Sequence, residues 1–179
     1  DVEIVIRTTT PCTIPRNQAI CVNKNLNYSI LNTSKGYLII AVDLIQDCIN
    51  RWKTTIIEDL GEFKGEQLLD LDAIHPLFKR RSKILHGDHV TTETGTGCVH
   101  TAPAHGVDDF NVCKQNGIET INPLGSNGCY KNEVEFFSGI HVRKVDEEVI
   151  AKLEDTNSLL NHEAYHHSYP HCWRHKTPL

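Results

Sequence analysis

Two short stretches of the chain concentrate residue types that do chemistry on polar substrates. The first is "TTTPCTIPRN", residues 8 to 17, which sets the hydroxyls of Thr8, Thr9, Thr10 and Thr13 beside the carboxamide of Asn17. The second is "GTGCVHTAPAHGVDDF", residues 95 to 110, which carries His100 and the acidic pair Asp108 and Asp109. Hydroxyls at a strand end can hold a substrate or a water. A carboxylate in the first turn of a helix is kept ionised by the macrodipole and can bind an ammonium group. His100, nine residues before Asp109, can act as a base, a ligand or a steric wall. Each feature also has a plain structural account: a Thr-rich edge strand ending in a Pro turn, helix-capping aspartates, and a hydrogen-bonded core histidine.

Other chemistries are less well supported. Eleven histidines and seven cysteines invite a metal, and the tail places His167, His171 and His175 at i, i+4 and i+8. Pro170 interrupts any helix that would align them, and no zinc signature is present, so no metal is expected. Gly95 and Gly97 lack the third glycine of a dinucleotide fingerprint, and no Walker A lysine or G-x-S-x-G elbow occurs. No cofactor is expected.

The elements that must position these residues can be read from periodicity. Residues 3 to 10 read as a strand, stopped by Pro11 and Pro15, and alternation along it puts Thr8 and Thr10 on one face. "YSILNT" and "YLIIAV" read as a hairpin turning at Ser34, Lys35 and Gly36. Asp43 is placed to cap a helix with Leu44, Ile45, Cys48, Ile49 and Trp52 at helical spacing. From Thr54 to Leu71 two short strands are expected around Gly61. "HPLFKRRSK", residues 75 to 83, reads as a loop whose Lys79, Arg80, Arg81 and Lys83 form the only dense basic cluster, either solvated or in contact with a phosphate backbone. A strand through Val90 and Thr92 should meet Gly95 and Gly97, which allow a tight turn or close backbone approach to a ligand. Cys98 to Thr101 is a second short strand. Val107 to Asn116 should form a helix with Val107, Phe110 and Cys113 on one face and Gly117 as terminator. Val145, Val149, Ile150 and Leu153 mark a further amphipathic helix, and the tail from His162 reads as irregular.

At 179 residues the chain suits one domain, and its net charge of −5 excludes a strongly basic autonomous nucleic-acid binder. No apolar run approaches the ~18 residues of a membrane span. Seven scattered cysteines without a C-x-x-C pair suit reduced thiols and a cytoplasmic setting. The chain has no methionine and opens in mid-pattern, so it reads as a piece of a larger polypeptide.

Taken together, "TTTPCTIPRN", "GTGCVHTAPAHGVDDF" and the tail "SYPHCWRHKTP" resemble the inserted editing domain, or connective polypeptide 1, of isoleucyl-tRNA synthetases. The resemblance covers almost the whole chain, with the motifs in family order. Valyl and leucyl enzymes share the T-T-x-P and G-T-G-x-V frames but typically carry Arg in place of Thr10 and Lys or Met in place of His100, so the pair here points to the isoleucyl branch. Neither the His-Ile-Gly-His nor the Lys-Met-Ser-Lys-Ser run of the aminoacylating domain is present. In two places the chain departs from the family's usual tryptophans, with Arg7 before the threonine triplet and Cys12 after its proline; losing both indoles should weaken an aromatic wall.

The resemblance implies an α+β fold with a β-barrel-like core of short strands and peripheral helices. It implies a single editing domain over residues 1 to 179, in which 162 to 179 lead back to the synthetic domain. The implied activity is hydrolysis of the ester of valyl-tRNA(Ile), sparing isoleucyl-tRNA(Ile). A binding site alone gains little from one missing methylene, a limit for which the isoleucyl enzyme is itself the standing example. By position, Asp109 would grip the substrate's ammonium and His100 would line the side-chain pocket. Thr8, Thr9, Thr10 and Thr13 would hold the terminal adenosine, the ester and the water, with Asn17 and Gly97 completing the pocket. The implied partners are mischarged tRNA(Ile) and the rest of a parent synthetase, with no membrane and a monomeric state. Two alternatives stand beside this: a tRNA-docking module with a decayed pocket, and a metallohydrolase.

Overall fold

The computed structural model describes residues 1–164 and 171–176. Its apolar, β-branched stretches form strands β1 (Val2–Ile4), β2 (Ala19–Val22), β3 (Asn27–Thr33), β4 (Gly36–Ala41), β5 (Ile56–Lys64), β6 (Asp72–Ile74), β7 (Arg81–His86) and β8 (Cys98–Thr101). Three helices accompany them: α1 (Ile45–Trp52), α2 (Val107–Gln115) and α3 (Asp146–Asp155). The strands form two four-stranded sheets, ordered β1-β4-β3-β5 and β6-β7-β2-β8. One core joins them, with Tyr28, Leu31, Leu38 and Ile40 from the first sheet and Ile20, Val22, Ile84 and Cys98 from the second. Sheet-on-sheet burial of this kind is the expected α+β, barrel-like centre.

The second sheet is covered on both sides. Every residue of β2 is buried, because Ile20 and Val22 point into the shared core while Ala19 and Cys21 point into a cluster closed by Val112 and Cys113 of α2. A third cluster packs α3, through Val149 and Leu153, on Ile14, Tyr130 and Phe137.

Several elements differ from their sequence reading. The opening strand ends at Ile4, the last residue paired with β4. Beyond it Thr8 Oγ1 accepts the N–H of Thr10 at 3.0 Å, a local bond that competes with a ladder, and Pro11–Arg16 form a 3-10 turn. Asp43 caps nothing: it lies in the 3-10 turn Val42–Leu44, whose backbone starts α1. Instead of two strands, β5 is one nine-residue strand with Gly61 (φ 115°) at a register shift, where Asp59 takes the Gly61 N–H. Val90 and Thr92 lie in turns, and Val90 is held by its N–H bond to Gly87 O at 3.1 Å. The basic loop ends at Arg80, since Arg81, Ser82 and Lys83 already belong to β7. In α2, Val107 and Phe110 are exposed and Val112 is buried with Cys113, because the helix meets the sheet through its C-terminal half. The β3–β4 hairpin, β8 and the span of α3 follow their readings. None of the seven cysteines is in a disulfide.

Candidate active site

His100 is the centre of the site. In the β2–β8 register it stands opposite Ile20, so its ring faces the same side of the sheet as the shared core. That side opens into a cavity of about 930 Å³ lined by Thr8, Thr9, Asn17, Ser82, Thr96 and His100, among others. His100 is buried, at 9% exposure, and lines this cavity.

A closed chain of hydrogen bonds sets the ring. Asn17 Nδ2 faces Ala19 O at 2.8 Å, which requires a donor there and fixes the carboxamide's orientation. Its second N–H points at His100 Nδ1, 2.7 Å away, so Nδ1 must accept. Thr13 Oγ1 donates to Thr10 O at 2.8 Å, which leaves its lone pairs for His100 Nε2 at 3.0 Å. The imidazole is therefore neutral with its proton on Nε2. Burial, reinforced by the nearby His75, pushes its pKa down to about 4, which agrees with that assignment. Both nitrogens are occupied, so neither presents a free lone pair to the cavity.

Asn17 is held in turn from the neighbouring strand and loop. Ser82 Oγ donates to Asn17 Oδ1 at 2.6 Å. Arg80 Nη2 donates to Pro15 O and Asn17 O at 3.0 and 2.8 Å, and its guanidinium lies over the Phe78 ring. Arg80 thus clamps the 3-10 turn through Nη2. Lys79, Arg81 and Lys83 are exposed, although Arg81 also lies 3.7 Å from Asp72.

The structure corrects other site expectations. Thr10 and Thr13 do not line the cavity; the 3-10 turn Pro11–Arg16, which Thr10 precedes, sets them behind His100, where they support its Nε2 edge. Gly97 does not line it either. With φ 78° it brings the backbone so near β4 that an added Cβ would lie 2.3 Å from Ala41 Cβ, and its carbonyl accepts from Tyr28 Oη at 2.6 Å. Its close approach is to the fold, not to a ligand. Cys12 points away from the cavity: its N–H donates to Asp146 Oδ1 at 2.8 Å, and its side chain packs on the α3 cluster. Position 12 is therefore no part of the cavity wall. Arg7 does line the cavity, and its Nη1 donates to Thr94 Oγ1 at 2.7 Å, tying the threonine segment to the glycine-rich turn.

Asp109, in the first turn of α2, faces the backbone just beyond β8 and does not line the cavity. Its Oδ2 accepts the N–H of Ala102, two residues beyond His100, at 2.8 Å. Burial raises its pKa while the Ala102 N–H lowers it. Gly106 makes this possible, because a Cβ there would lie 3.1 Å from the Asp109 carboxyl carbon. Asp108 is exposed, and its charge helps to raise the pKa of Asp109. Gly106 and Ser82 were not singled out in the sequence, and Arg80 was named only as part of the basic cluster; Gly106, three residues before a helical aspartate, left a local signal. Among the described residues no group of three His, Cys, Asp or Glu side chains could hold a metal, and His167 lies outside them. Nor is any described helix long and apolar enough to cross a membrane.

No family model matches the chain. Curated relatives do: it is 48% identical over 185 aligned residues to the isoleucine–tRNA ligase of Idiomarina loihiensis, covering 100% of the chain and 20% of the relative. It is 45% identical to that of Shewanella amazonensis, again over 100% of the chain and 20% of the relative. The chain thus spans about a fifth of the length of these relatives. Among solved structures it resembles GlLeuRS-CP1, with TM-score 0.65 and 14% identity over 88% of this chain and 81% of that one. The editing domain of P. knowlesi cytosolic leucyl-tRNA synthetase matches with TM-score 0.65 and 11% identity, over 87% and 81%. The chain is homologous over its whole length to one segment of isoleucine–tRNA ligase, and its fold is that of the aminoacyl-tRNA synthetase editing domain.

Proposed function

We propose that the chain hydrolyses the ester of valyl-tRNA(Ile) and spares isoleucyl-tRNA(Ile). The observation that carries this reading is His100, neutral, bonded at both nitrogens and facing the cavity. A rigid edge discriminates by size, whereas a mobile one would give way to an extra methylene. In this reading the substrate's side chain meets His100, and the Thr8 and Thr9 hydroxyls hold the ester end and the attacking water. In this reading the aminoacyl end reaches past His100 to Asp109, which lies outside the cavity lining on the Ala102 N–H, and its ammonium group takes a charge-assisted bond there.

An aminoacyl ester is already activated, so water positioned by hydroxyls needs no covalent intermediate. Proximity and hydrogen bonding supply the catalysis. Both ring nitrogens of His100 are engaged, Nδ1 by Asn17 and Nε2 by Thr13, so this reading routes no proton through it. The exposed Lys79 and Lys83 offer a local contact for the tRNA backbone, consistent with an acidic chain that binds tRNA weakly. The unpaired, reduced cysteines suit a cytoplasmic setting.

The test is deacylation of valyl-tRNA(Ile) and isoleucyl-tRNA(Ile) by the chain and by Asp109→Ala. Selective release of valine, abolished in the variant, is expected. Equal release of both amino acids, or undiminished activity in the variant, would count against the assignment.

A further inference from the structure

Ser82 belongs to neither chemistry-bearing motif, yet its hydroxyl is buried, lines the cavity and completes the bond chain that ends at His100. It stands on β7, next to β2 in the sheet, and Lys83 pairs with Ala19 in the parallel register. That places residue 82 beside the end of the turn that carries Asn17. We propose that Ser82 is a positioning residue for size selection: by holding Asn17 it fixes the ring of His100, and with it the depth of the cavity. This rests on the reading of the cavity as an amino-acid sieve.

The argument is one of hydrogen-bond inventory. Asn17 is buried, at 6% exposure, and offers two N–H donors and one carbonyl. The donors go to Ala19 O and His100 Nδ1, and the carbonyl receives Ser82 Oγ–H. Without that hydroxyl the carbonyl loses a partner while out of reach of bulk water. A buried acceptor in that state is costly, so the carboxamide turns or admits a water to satisfy it. Either response weakens the bond to Nδ1. The ring is then held only through Thr13, and it can exchange its proton between nitrogens or swing. Backbone geometry survives, because Arg80 holds the carbonyls of Pro15 and Asn17 independently of Ser82. Ser82 therefore acts on the ring and not on the turn.

The experiment compares the chain with Ser82→Ala and Ser82→Thr by two readouts. The first is the 15N spectrum of the His100 ring, identified by its loss in His100→Gln, which reports the tautomer without any substrate. A single Nε2–H form is expected in the parent chain and in Ser82→Thr, which keeps a hydroxyl, and averaged ring shifts in Ser82→Ala. The second is the ratio of valyl to isoleucyl ester hydrolysis, expected to fall about tenfold in Ser82→Ala, with recovery in Ser82→Thr. Unchanged ring shifts in Ser82→Ala overturn the inference, as does a moved ring with an unchanged ratio. If the parent chain hydrolyses neither ester, the editing reading fails on its own, and the ring shifts alone decide whether Ser82 positions His100.

Discussion

Gly97→Ala isolates the close approach that carries β8 to its place. Two separate penalties arise. Gly97 has φ 78°, a left-handed conformation that costs a residue with a Cβ roughly 1–2 kcal/mol. The new methyl would also stand 2.3 Å from Ala41 Cβ and 3.3 Å from Tyr28 Cε1. The nearest of these atoms is fixed to the backbone of β4, so β4 or the turn must shift, an overpacking cost of about 1–3 kcal/mol. Together the loss should be about 2–5 kcal/mol, a large part of the ~5–15 kcal/mol typical of a domain. Urea unfolding of the parent, Gly97→Ala, Ala41→Gly and the double variant separates the two. Removing the Ala41 methyl relieves the overlap but leaves the backbone penalty, so a coupling of about 1–3 kcal/mol should appear between the sites. A neutral Gly97→Ala, or a cycle additive within ~0.5 kcal/mol, would refute the reasoning.

Other consequences can be checked alongside. Burial pushes His75 and His100 down to about 4, so the folded state binds fewer protons than the unfolded chain between pH 6.5 and 4. Their stabilisation is complete above ~6.5 and lost as pH falls, at up to ~1.4 kcal/mol per pH unit for each group. Urea midpoints at pH 7, 6 and 5 should therefore decline, and a midpoint that rose would contradict the neutral assignment. Tyr28→Phe strips the Gly97 carbonyl and the Asn23 N–H of a partner and should cost about 1–3 kcal/mol with the fold intact by circular dichroism. His100→Ala should release isoleucine from its tRNA at least ~10-fold faster than the parent chain does, and continued sparing of isoleucine would remove the ring from its role as the wall.

What could be read in the sequence was local. The β3–β4 hairpin, β8, the start of α2 and the span of α3 follow from period, β-branching and glycine placement within each short stretch. The same holds for the two motifs, whose hydroxyls, imidazole and carboxylate announce themselves by residue type. Misreadings arose where a side chain or a distant strand outvoted local preference. The threonine run left its strand because β4 pairs with it only as far as Ile4, and Gly97 was given to a ligand because its real neighbour, Ala41, is 56 positions away.

The site shows the same division. Composition and spacing pointed to His100 as base, ligand or wall, and nothing in its flanking residues chooses among these. What the structure adds is the ring's protonation state and orientation, set by Asn17 and Thr13 on its two nitrogens, by Ser82 behind Asn17, and by the depth of burial. Ser82 lies 65 positions from Asn17 and 18 from His100, on a strand that carries neither, and it has no signal of its own. Residue type is a property of the chain, whereas protonation state, orientation and reach depend on which groups the sheets bring within 3 Å, and only the tertiary structure decides that.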